Sequence, residues 1–141
     1  MAGYSGTPLP QKLGIKPEHR VVLLGAPKGF EKTLGAVPEG VRIVKRLAGK
    51  AKHDVIVCFV TEKAALKKDL PRLVAAMQEN AGLWVAWPKK SSGVATDMTE
   101  HSVRELALPK GLVDNKVCAI DDTWSGLRCV IRLENRSGKR K

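Results

Sequence analysis

GLWVAWPKKSSGVATDMTE, running from Gly82 to Glu100, is an apolar strand that empties into a polar loop and then a helix start. In an extended chain Leu83, Val85 and Trp87 point one way and Trp84 and Ala86 the other, so both faces are apolar, as in the interior of a parallel sheet. This places Gly82 to Trp87 as a central strand. Beyond Pro88 come two lysines, two serines, a glycine and a threonine, and then Asp97 three residues before Glu100, the spacing of a helix N-cap with its reciprocal carboxylate. Open α/β sheets bind ligands at such an edge. The stretch carries no catalytic constellation with a fixed chemistry.

The chain around it has 141 residues, 43% of them hydrophobic. That is enough for one compact domain with a real core, and it excludes a disordered protein. The formal net charge of +11 attracts polyanions, acidic proteins or phosphorylated ligands at low ionic strength, without choosing among them. The longest apolar runs, such as Val55 to Val60, are strand-sized and far short of a membrane span, and the N-terminus lacks the apolar core of a signal peptide. A cytoplasmic protein without a membrane contact is expected. The three cysteines, Cys58, Cys118 and Cys129, all fall in strand-like runs without paired metal-ligand spacing, and read as small buried residues in a reducing compartment.

Taken in order, residues 1–18 are rich in glycine and proline and read as an irregular arm, with Tyr4, Leu9, Leu13 and Ile15 as points that pack on the core. A single α/β domain is expected over 19–134. Its first strand, Arg20 to Leu24, runs into the turn Gly25-Ala26-Pro27-Lys28-Gly29 and a short helix over Phe30 to Leu34. Val41 to Val44 is a brief second strand. The bases Arg42, Lys45, Arg46, Lys50 and Lys52 then follow one another with no intervening acid, either as a solvated connection or as an anion-facing patch. Asp54 to Thr61 is again apolar on both faces. Leu66, Leu70, Leu73, Val74 and Met77 form one helical stripe, which Pro71 kinks or divides. Met98 to Leu108 reads as a helix with Val103, Leu106 and Ala107 inward. Lys116 to Ile120 and Leu127 to Leu133 are strands joined by a link too short for a helical crossover, hence an antiparallel hairpin. The tail over 135–141 is polar, basic and expected to be disordered.

Strands alternating with helices and ending in a hairpin give a Rossmann-like three-layer α/β/α sandwich with a mostly parallel sheet. The closing order of strand, helix, central strand, helix, strand and antiparallel strand resembles the second half of class I S-adenosylmethionine-dependent methyltransferases, with the first half shortened. At the level of motifs, the blocks MAGYSGTPLPQKLGI, GLWVAWPKKSSGVATD and GLVDNKVCAIDDTWSGL resemble a bacterial family known only as a domain of unknown function. That resemblance implies no activity, substrate or binding residue.

Candidate sites follow from the sheet. Gly25 and Gly29 stand where a methyltransferase or dinucleotide-binding protein brings backbone amides to its cofactor. Yet Pro27 deletes a donor there, and the second strand runs into Lys45 and Arg46 rather than an acid for the ribose, so no cofactor is assigned. The alternative is a tight turn in which both glycines serve geometry alone. In the central loop Lys89, Lys90, Ser91, Ser92, Gly93 and Thr96 gather hydroxyls, amides and ammonium groups beside a helix N-terminus, a setting that favours an anion. Equally, those residues cap the helix through Thr96, Asp97 or Thr99. Asp121, Asp122 and Trp124 border the same edge, as does Trp87, but an Asp-Asp turn is also ordinary hairpin chemistry. The tryptophans read as core and cleft lining, and His19, His53 and His101 are scattered.

Three functions compete on this reading. The first is a non-catalytic module for an anionic, phosphate-bearing ligand or partner at Lys89 to Thr96. The second is a degenerate or unusual S-adenosylmethionine-dependent methyltransferase-like enzyme. The third is a basic protein that associates with nucleic acid non-specifically, since none of the base-reading motifs is present.

Overall fold

The computed structural model describes residues 7–47 and 49–135. Six strands form one sheet in the order β2-β1-β3-β4-β6-β5. They are β1 (Arg20–Leu24), β2 (Arg42–Val44), β3 (His53–Phe59), β4 (Met77–Pro88), β5 (Leu112–Ala119) and β6 (Trp124–Ile131). β1, β2, β3 and β4 pair in parallel, and β6 is antiparallel to both β4 and β5. The fold is therefore a Rossmann-like three-layer sandwich with a mostly parallel sheet closed by a hairpin. Because strand side chains alternate between faces, β3 and β4 supply two cores at once. Val22, Ile56, Leu83 and Val85 meet α3 (Lys63–Ala75) and α4 (Glu100–Ala107), while Val21, Val57, Trp84 and Ala86 meet α1 (Leu9–Leu13) and α2 (Phe30–Leu34). Trp87 is buried within β4, between β3 and β6.

Several local expectations are corrected. The arm is not wholly irregular, because Leu9–Leu13 is a helical turn with Pro8 as its N-cap, Pro10 in its first turn and Gly14 in the left-handed region at φ 80°. Prolines are tolerated in a first helical turn, where their missing N–H has no intrahelical partner to lose. Leu9, Leu13 and Ile15 are buried, and the indole N–H of Trp84 donates to the Leu13 carbonyl at 3.0 Å, which pins this segment to the central strand. Tyr4 and 136–141 of the tail lie outside the described residues.

Pro71 sits inside a single helix rather than dividing it. It is on the exposed side, where water can replace the donor that the ring removes. Leu66, Leu70 and Leu73 are fully buried along the opposite stripe, each contributing about 1.5–3 kcal/mol of apolar burial. Met77 does not continue that stripe. It opens β4, whose pairing with β3 shifts register between His53 and Val55. At the chain's other end Leu133 leaves the strand alternation for a 3-10 turn and is exposed.

Candidate functional site

The carboxyl edge of the sheet collects the ends of β1, β3 and β4 and the turn between β5 and β6. Strand order reverses between β1 and β3, the place where open α/β sheets form their crevice. There Gly25 adopts φ 68°, and a Cβ on it would stand 2.9 Å from the Phe59 carbonyl oxygen. Glycine is required by the close approach of the two strand ends. Gly29, at φ 81°, has open space around its missing Cβ and precedes α2. The chain's two phenylalanines are buried in the core beside this turn. The Phe59 ring lies 4.9 Å from Phe30 and 5.1 Å from the half-buried Trp124, both edge-to-face. Nothing in the local pattern singled out Phe30 or Phe59 as neighbours of the turn, because each falls where a core residue is expected.

The next requirement of a nucleoside site, a carboxylate at the end of β2, is not met there. Lys45 follows Val44, and its ammonium group pairs at 2.8 Å with Glu31 of α2. That contact holds the Glu31 carboxyl below its ordinary range, through the hydrogen bond and charge of Lys45. With Pro27 lacking an N–H, the residues present do not reproduce the cofactor turn and ribose acid of a class I methyltransferase.

The central loop is brought to the same edge. The Lys89 N–H donates to the Thr123 carbonyl at 2.8 Å, joining the loop to the hairpin turn. Lys90–Ser92 is a 3-10 turn that ends at Gly93, φ 78°. The Ser92 hydroxyl donates to the Lys89 carbonyl at 2.7 Å and accepts the Val94 N–H. The Thr96 hydroxyl donates to the Thr61 carbonyl at 2.6 Å and accepts the Met98 N–H. The Ser92 hydroxyl thus closes the loop itself and that of Thr96 ties it to Thr61, just past the end of β3, leaving Lys90 and Ser91 exposed and Lys89 half-buried. Of the caps expected at Thr96, Asp97 or Thr99, the last is the one used. Thr99, not Asp97, caps α4 in a reciprocal pair with Ser102, since a short hydroxyl at the third helical position reaches back as a carboxylate would. Asp97 instead reaches across the edge and accepts the Lys63 N–H at 2.8 Å, at the start of α3. Beside it lies a groove of about 320 Å³ lined by Thr61, Glu62, Ala64, Ala95, Thr96 and Asp97.

In the hairpin turn one Asp121 carboxylate oxygen accepts the N–H groups of Thr123 and Trp124, each at 2.8 Å, which is the turn chemistry weighed above. Asp122 is exposed. Among the described residues, no group of three or more His, Cys, Asp or Glu side chains is placed to hold a metal ion, and no helix is long and apolar enough to cross a membrane. Burial pushes the thiols of Cys58 and Cys129 up to about 12 and raises that of Cys118, so none is an activated nucleophile.

No family model matches the chain, and no curated protein matches it in sequence. Solved structures do match. A SAM dependent methyltransferase from Aquifex aeolicus aligns at a TM-score of 0.63 and 16% identity over 86% of this chain and 87% of that one. Fibrillarin from Aeropyrum pernix, solved with natively bound S-adenosyl-L-methionine, gives 0.57 and 13% over 90% and 70%. Magnesium protoporphyrin IX methyltransferase from Synechocystis gives 0.57 and 12% over 82% and 71%. At such identities the likeness is one of architecture, and the chain has a Rossmann-like fold of the kind seen in S-adenosylmethionine-dependent methyltransferases.

Proposed function

We propose that this chain is a degenerate methyltransferase-like protein, built on the plan of the S-adenosylmethionine-dependent enzymes but with an altered cofactor turn. The observation that carries this reading is the agreement in architecture with those enzymes, combined with Lys45 and its Glu31 partner at the end of β2. The fold is retained and the ribose acid is not. The turn that in such enzymes lies against the cofactor is here packed on Phe59, whose ring meets those of Phe30 and Trp124. Native mass spectrometry of the purified full chain tests the reading. Retention of S-adenosylmethionine or its demethylated product would contradict it and favour an active enzyme.

A second reading places an anionic ligand at the same edge, and the exposed Lys90 and Ser91 with Lys89 behind them favour it. The candidate residues are Trp87, Lys89, Lys90, Ser91, Ser92, Gly93, Thr96, Asp121, Asp122 and Trp124. Against it, Glu62 and Asp97 line the adjoining groove. If the loop binds an anion, phosphate should raise the melting temperature of the parent, and Ser91→Ala should reduce that rise. Unchanged melting of the parent at high phosphate would dismiss it.

A further inference from the structure

The described residues of the connection from β2 to β3 contain no helix, and this leaves part of the sheet uncovered. On the face that α3 and α4 cover elsewhere, Val22 is buried but its register partner Val44 is 42% exposed. A groove of about 280 Å³ opens there, lined by Arg20, Arg42, Val44, Arg46, Ala51 and His53. Arg20 and Arg42 are register partners on adjacent strands, an arrangement in which like charges destabilise a sheet. Neither guanidinium, nor that of Arg46, forms an ion pair with a described residue. Asp54 has its carboxylate on the Arg20 backbone N–H, at 2.8 Å.

His53, in the wall of the groove, is only 5% exposed, and neither of its ring nitrogens has a hydrogen-bond partner among the described residues. Leaving buried polar atoms unpaired is costly, and so is placing arginines in register. Neither choice serves the stability of the chain by itself. The exposed, in-register arginines are accounted for by a bound anion, with buried His53 as the wall behind it.

We propose that this groove binds a small organic oxyanion, a phosphate or carboxylate carried on a compact apolar body, with Arg20, Arg42 and Arg46 holding the anion and Val44 and Ala51 receiving the body. Guanidinium groups match the planar fork of such anions, and the groove is near the small end of ligand-pocket sizes. A second copy of the chain is a poor occupant, since each copy carries a net charge of +11. The site is centred on the starts of β1 and β3, so it stands or falls separately from the carboxyl-edge reading.

The test is an NMR titration of the full chain with phenyl phosphate, benzoate and inorganic phosphate, following the imidazole of His53 and the side-chain N–H signals of the three arginines. Phenyl phosphate or benzoate should move these signals and bind about tenfold more tightly than inorganic phosphate, because the apolar body adds burial. The tighter of the two names the anion. Arg20→Gln and Arg42→Gln should each weaken binding about tenfold without lowering the melting temperature, and Lys67→Gln, on the exposed side of α3, should bind as the parent does. Arg42→Lys keeps the charge and should lose less, which holds the test open if the glutamine variant unfolds. Equal binding by parent and Arg42→Gln, inorganic phosphate binding as tightly as both organic probes, or binding confined to an oligoglutamate peptide would each overturn the proposal.

Discussion

Asp97 has moved from one role to another that calls for the same chemistry. It lies three residues before Glu100 and reads as a cap of the helix that follows, yet its carboxylate takes the first N–H of α3. Asp97→Ala should therefore lower stability by about 0.5–2 kcal/mol in urea denaturation, with hydrogen exchange rising at the start of α3 rather than of α4. His53 gives the residue scale a pH signature. Burial and the charge of Arg20 hold its pKa below the ordinary value, against the opposing pull of Asp54. Below a pH of about 6.5 the unfolded chain takes up a proton that the folded chain refuses, so this contribution is present above that pH and is lost as pH falls toward the lowered native value. Denaturation midpoints at neutral pH and at pH about 5.5, in the parent and His53→Leu, measure it. The variant should lose part of the acid sensitivity. The thiols of Cys58 and Cys129, raised to about 12 by burial, should resist an aromatic disulfide reagent at mildly alkaline pH until the chain is unfolded.

At the scale of elements, the strands were legible because their chemistry is redundant. Val55 to Val60 and Leu83 to Trp87 are apolar at every position, and only a strand covered on both faces needs that. The hairpin followed from the shortness of the link from Asp121 to Gly126, part of which is already strand, since β6 begins at Trp124. What escaped depends on partners remote in sequence. Leu9–Leu13 is helical because Trp84 and the second core receive it, and its prolines conceal this. Met77 has helical spacing from Leu66, but its backbone pairs with His53. The choice of Thr99 among the three expected caps turned on Ser102, a residue whose hydroxyl can serve many local bonds. The edge itself could be located from strand order, whereas the aromatic cluster beside it could not, since Phe30, Phe59 and Trp124 meet only after three separate elements assemble. Packing within the hairpin gives a test at this scale. A Cβ on Gly126 would lie 2.8 Å from the Ile120 Cδ1 atom and 3.0 Å from the Trp84 ring, so Gly126→Ala should cost about 1–3 kcal/mol by overpacking. A variant as stable as the parent would show that this seam has slack.

Over the whole molecule, strand order reverses between β1 and β3, and on the proposed reading the residues there depart from a cofactor-binding pattern. Lys45 occupies the position where the sequence reading looked for an acid, Pro27 removes an amide, and Gly25 is committed to its contact with Phe59. The excess of positive charge is spread over exposed lysines and arginines, including Lys45, Arg46, Lys50 and Lys52 in the connection after β2. Binding of the chain to nucleic acid, where it occurs, should fall steeply with salt. The measurement that bears most directly on the degenerate methyltransferase-like reading is a calorimetric titration of the full chain with S-adenosylmethionine, accompanied by NMR mapping of the backbone. Binding is expected to be absent or weaker than micromolar, with no shifts confined to Gly25 through Gly29. Micromolar affinity with shifts centred on that turn would contradict it.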